Sequence, residues 1–68
     1  MTDLVGAIVS PRDEWKQRNT DGSPVDYGYG IVMDQYDDDF GTTYCHVFWP
    51  NADSAWWEPH ELILISKP

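Results

Sequence analysis

Residues 29–49 read YGIVMDQY (29–36), DDDFG (37–41) and TTYCHVFW (42–49): two apolar runs joined by an acidic turn that ends in glycine. Each run is short and rich in β-branched and aromatic residues, so the pair reads as a β-hairpin. Gly41 can take the positive φ that such a connection needs. A third apolar run, Leu62 to Ile65, follows after Pro-containing turns, and three such runs describe a small β-barrel. A barrel of this size has almost no interior left over for a substrate pocket, so its function is expected on the outer surface.

Outward from the hairpin, alternation in Thr42 to Trp49 puts Cys45, Val47 and Trp49 on one face and Tyr44, His46 and Phe48 on the other. The first set is taken as the core. Upstream, Leu4 to Ser10 reads as the first strand, with Val5, Ala7 and Val9 on one face and Pro11 at its end. Pro11 to Tyr27 has little apolar periodicity and reads as a long loop with one helical turn around Arg12 to Gln17. The second strand, Tyr29 to Tyr36, is preceded by Gly28 and contains Gly30, which marks a bulge or tight bend. Downstream, Pro50 to Asp53 is a turn and Ser54 to Glu58 a fourth strand. Pro59, His60 and Glu61 form a single 3₁₀ turn before the closing strand, Leu62 to Ile65.

The pattern predicts an all-β fold, a five-stranded SH3-like barrel with a long first loop and one 3₁₀ turn before the last strand, filling residues 1–68 as a single domain. An OB-fold is the runner-up, but the few residues between Trp49 and Trp56 leave no room for its helix.

A chain of 68 residues is short for a domain without disulfides or metal, and it compensates with four Trp, four Tyr and two Phe. One cysteine, Cys45, excludes an internal disulfide and favours a reducing, cytoplasmic setting. No apolar run approaches a membrane span, and a secretory leader is not expected. Twelve acidic residues against four basic ones give a net charge of −8. Direct nucleic-acid binding is therefore not expected, because duplex affinity comes from Lys and Arg on phosphates. A basic protein surface or peptide is the expected partner, with acidity serving solubility alone as the alternative.

No residue set commits the chain to catalysis, and neither cofactor nor metal is expected. Asp37 to Asp39 lie in a turn where water keeps carboxylates ionised. Cys45 and His46 are adjacent on a strand and point to opposite faces, so they cannot act as nucleophile and base. Asp37, Asp39 and Gly41 imitate the start of a calcium loop but place glycine where the third ligand belongs. His46, His60 and Cys45 lack zinc-ligand spacing.

The chain resembles a class of short SH3-like or Tudor-like barrels found among uncharacterised proteins of tailed phages of marine bacteria and cyanobacteria. The shared strings are Val5-Gly6-Ala7-Ile8-Val9, Gly30-Ile31-Val32, Val47-Phe48-Trp49 and the Trp56 to Leu62 close. They cover nearly the whole chain, and the resemblance implies fold more than function. In Tudor-like barrels the analogous surface holds a methylated basic side chain, so the resemblance implies that a similar cage can form here. Pro11 to Trp15 also resembles the acidic loop and aromatic of the small stromal barrel protein of photosystem I and of the ferredoxin-thioredoxin reductase variable chain. The negative charge departs from them, because it would repel acidic ferredoxin.

The candidate surface is aromatic and acidic: Tyr36, Asp37, Asp38, Asp39, Tyr44, Phe48, Trp56 and Trp57. Of the last two only one can be exposed, since neighbouring strand residues alternate. Trp15, Tyr27 and Tyr29 would extend the patch. Three functions follow. The chain is expected to be a non-enzymatic, phage-type adaptor or inhibitor that binds a basic protein. The alternatives are an acidic nucleic-acid mimic and an accessory structural component of a photosystem or virion assembly. A homodimer face is the other use for exposed rings.

Overall fold

The computed structural model describes residues 3–68. Five strands form one antiparallel sheet: β1 (Ile8–Pro11), β2 (Gly30–Asp37), β3 (Thr43–Phe48), β4 (Ala55–Trp57) and β5 (Leu62–Ser66). Their order is β4-β3-β2-β1-β5, a meander from β1 to β4 with β5 returning beside β1. No ladder joins β4 to β5 among the described residues, so the expected closed barrel is here an open hydrogen-bonded sheet. No helix among these residues is long and apolar enough to cross a membrane.

Alternation builds the core. Val9, Val32, Cys45, Val47, Trp57 and Leu62 bury one face of the sheet, and Ala7, Tyr27 and Trp49 pack in from adjoining loops. Cys45, Val47 and Trp49 are fully inside, the set chosen by the pattern. Tyr27, Trp49 and Trp57 meet edge to face with centroids 5.3–5.7 Å apart. Rings packed in this way fill volume that a chain so short could not fill with aliphatic residues. Gly30 makes room for them: a Cβ there would lie 2.6 Å from the Trp49 ring and from Val47.

The first strand is shorter than its pattern suggests. Leu4 to Ala7 form a turn, closed by the Ala7 N–H donating to the Leu4 carbonyl (2.9 Å), with Gly6 at φ 93° and Val5 exposed. β1 ends at Pro11, as expected, with Pro11 itself the last paired residue, opposite Leu62. It is tolerated because β2 pairs only with Ile8 and Val9, leaving that side of β1 free of a ladder at Pro11.

The long loop holds a 3₁₀ turn, η1 (Asp13–Trp15), and a small hairpin bridged by Arg18 and Pro24. Asp21 organises the hairpin by accepting from the Ser23 hydroxyl (2.6 Å) and N–H (2.9 Å), bonds that hold its pKa below the usual carboxylate value. Tyr27 returns the loop to the core, and its phenol oxygen accepts from the Gln17 N–H (3.3 Å). The second 3₁₀ turn, η2 (Pro59–Glu61), stands where the sequence placed it. It is closed by a capping box in which Glu58 and Glu61 each accept a backbone N–H of the other's end.

Candidate functional site

A β-bulge sets the composition of the outer face. Ile31 pairs with Phe48 and Val32 with Val47, but the register then shifts so that Asp34 faces His46 and Tyr36 faces Tyr44. Strict alternation would have put Asp34 and Tyr36 on the buried face with Val32. The extra residue, Met33, turns them outward. The glycine signal placed the bulge or bend at Gly30 itself, and the register shift falls three residues further on, at Met33.

β4 completes the surface, since its Trp56 pairs with His46. Tyr36 and Tyr44 stack at 6.2 Å, Tyr36 meets Trp56 edge to face at 6.4 Å, and Trp56 stacks on His46 at 4.8 Å. With Asp34 and Gln35 the three large rings line an open pocket of about 580 Å³. Tyr36 and Trp56 are 55% and 51% exposed, large for rings that could have been folded inward.

Three carboxylates act on this pocket or its rim: Asp34, Asp38 and Glu58. Asp34 is in its wall, and the Tyr44 hydroxyl donates to Asp38 at 3.5 Å. Desolvation raises the Tyr44 pKa, and the charges of Asp38 and Glu58 raise it further. The phenol therefore stays protonated and keeps its donor through neutral pH. Such a site offers π faces and negative potential together, which attracts a cation.

The other candidates separate. Asp38 Oδ1 accepts from the N–H groups of Phe40 (2.8 Å) and Thr42 (2.9 Å), and Asp37 accepts from the Thr43 hydroxyl (2.7 Å). These two carboxylates hold the hairpin turn, while Asp39 is exposed beside them. Phe48 is exposed on the outer face opposite Ile31, away from the ring cluster. Trp57 does not belong to the surface: it is 8% exposed and packs on Tyr27 and Trp49. Tyr27 is likewise core, and Tyr29 is exposed just before β2.

A second groove, of about 550 Å³, lies against Trp56 between the long loop and the β3–β4 turn. Trp15, Val25, Trp57, Asp53 and Glu61 are among its walls. The sequence pattern marks Trp15, Tyr27, Trp56 and Trp57 as candidate surface residues but not that they meet in one groove, because they come from separate segments of the chain.

Cys45 is fully buried, and desolvation followed by the charge of Asp37 pushes its thiol pKa up, which disfavours the reactive thiolate. His46 lies on the opposite face, as alternation requires. Glu58, His60 and Glu61 bring ligand atoms within 4.8 Å of one another, yet both carboxylates already serve the capping box of η2.

No protein-family model matches the chain, and no curated protein or solved structure is significantly similar to it.

Proposed function

We propose that this chain is a non-enzymatic interaction module, an SH3-like barrel that holds a basic protein or peptide on its acidic aromatic face. The observation that carries this reading is the convergence of Tyr36, Tyr44 and Trp56 around one open pocket with Asp34 in its wall. A Lys or Arg side chain there gains π attraction of about 0.5–2 kcal/mol. It also gains Coulomb attraction from Asp34, Asp38 and Glu58. The net charge of −8 steers basic partners toward the surface and repels acidic ones.

The strand order, the long first loop and the 3₁₀ turn before β5 support the SH3-like assignment. Binding by such a module uses surfaces that need no moving parts.

The test is a titration of the protein with a Lys/Arg-containing peptide, followed by tryptophan fluorescence and by amide chemical shifts. Shifts confined to β2, β3 and β4 around Tyr36, Tyr44 and Trp56 are expected. Shifts centred on the Trp15 groove instead, or none that a neutral peptide of equal length does not also produce, would overturn the reading.

A further inference from the structure

The groove beside Trp56 differs in kind from the aromatic pocket. Trp15 and Trp56, each about half exposed, line it together with the nearly buried Tyr27 and Trp57. Its volume of about 550 Å³ lies in the range of small-ligand sites. Trp15 stands outside the core cluster yet is held firmly. Its N–H donates to the Arg12 carbonyl (3.0 Å), and its ring meets His60 edge on at 5.8 Å. Arg12 is in turn tied to η2, its N–H donating to the Glu61 carbonyl (3.0 Å) and its Nε to the His60 carbonyl (2.9 Å). A wall fixed in advance spares a ligand the cost of ordering it.

The polar groups of the groove offer both kinds of hydrogen bond. Tyr27 is only 6% exposed, and its phenol oxygen accepts from the Gln17 N–H, yet among the described residues no acceptor takes its hydroxyl hydrogen. The side-chain amides of Gln17 and Asn51 and the carboxylate of Asp53 also line the groove and have no partner among the described residues. Glu61 is different, because its carboxylate already accepts from the Glu58 N–H (2.8 Å). No Lys or Arg is among the walls. Lys16, next to Trp15, pairs with Asp13 at 3.1 Å, and Arg12 is spent on His60.

This inventory selects a ligand class. An anion finds no cation here and meets Asp53 on a chain of net charge −8. A Lys or Arg side chain brings donors only, so the Tyr27 hydroxyl and both amide NH₂ groups would have nothing to bond. A wholly apolar ligand would strip water from the same groups and replace none of its bonds. What fits is a neutral molecule with an apolar face and a rim of groups that both donate and accept. A pyranose is such a molecule: C–H groups cover its faces and hydroxyls surround its edge. A flat base fits less well, since Tyr27 and Trp57 stand at 89° and form no slot of parallel rings.

We infer that this groove is a carbohydrate site for a short neutral oligosaccharide: a pyranose packs its C–H face on an indole wall, and its hydroxyls bond to Tyr27, Gln17, Asn51 and Asp53. Each such bond replaces one to water, so the net gain per bond is modest and the affinity is weak. No bond of the sugar is made or broken. The inference stands apart from the basic-partner reading of the outer pocket, although Trp56 borders both.

The intact chain is titrated with cellobiose, maltose and diacetylchitobiose, all neutral disaccharides, and followed by tryptophan fluorescence and by indole and amide chemical shifts. At least one sugar is expected to move the Trp15 indole and the amides of Asn51, Ala52 and Asp53, with half-saturation at about 1 mM, the weak end of specific association. Sorbitol, which has the hydroxyls without the ring, should not. Trp15→Ala, outside the core, should weaken sugar binding roughly tenfold with little change in the unfolding midpoint. Asn51→Ala, at an exposed turn, should weaken it a few-fold. A Lys/Arg peptide should bind Trp15→Ala as it binds the wild type, and added salt should weaken the peptide but not the sugar. No response to any of the disaccharides up to about 50 mM, far above the millimolar range of weak specific binding, would overturn the inference. So would an equal response to sorbitol, sugar binding that Trp15→Ala leaves unchanged, or tighter binding of adenosine, which would make the groove a base site.

Discussion

Tyr36 stands directly opposite Tyr44 across the β2–β3 ladder, with ring centroids 6.2 Å apart, because the ladder gains one residue at Met33. Without that bulge Tyr36 would share the buried face of Val32, and the outer surface would lose both a ring and Asp34.

Trp56 and Trp57 are neighbours with opposite roles, and alanine separates them. Trp57→Ala removes a ring packed on Tyr27 and Trp49 and should cost about 3–5 kcal/mol, most of the stability of a small domain. Trp56→Ala should cost about 1 kcal/mol or less, as expected at an exposed site, while weakening binding of a basic peptide about tenfold. Urea denaturation and peptide titration on both variants check this. Equal loss of stability in the two would contradict the assigned faces.

Gly30→Ala tests the close approach of backbone and ring. The new methyl would lie 2.6 Å from Trp49 and Val47, both fully buried, so the core must shift. A loss of about 1–3 kcal/mol is expected, with a changed near-ultraviolet signal from the tryptophans. Gly41→Ala probes a different cause. Nothing lies near its Cβ, and the strain comes only from a φ of 83°.

Tyr44 should ionise above its ordinary pKa, and an ultraviolet titration can follow it. Desolvation raises the value first, and Asp38 and Glu58 add to it. A raised folded-state pKa means that the stabilising contribution is complete below about 10, the unfolded value, and is lost as pH rises through the folded value. Asp38→Ala should bring the Tyr44 transition back toward the ordinary value. It should also loosen the hairpin, since the Phe40 and Thr42 N–H groups lose their acceptor. An unmoved Tyr44 transition in that variant would show that Asp38 does not act on the phenol.

Charge should govern encounter more than residence. Asp34→Asn removes a carboxylate from the pocket wall without altering a turn and should slow association with a basic peptide by a few-fold. Added salt should weaken the wild type more than the variant, because screening acts on the charge that the variant has already lost. Stopped-flow rates at two ionic strengths decide it. Identical salt dependence would assign the acidity to solubility alone.

The residues themselves determined the strands, the 3₁₀ turn at Pro59 and the inward set of Cys45, Val47 and Trp49. Alternation is a local property, and prolines and turn glycines punctuate it within a few residues. The same rule established that one of Trp56 and Trp57 must be buried. Which of the two it is was settled only by pairing, because Cys45 on the core face lies opposite Trp57. Tertiary structure also placed the bulge at Met33, turned Leu4 to Ala7 into a turn, and left the sheet open between β4 and β5. These features depend on where one strand meets another, and ladder register is a non-local quantity that a single strand's sequence does not contain. The pocket of Tyr36, Tyr44 and Trp56 draws on three strands, so its residue types were legible and its assembly was not.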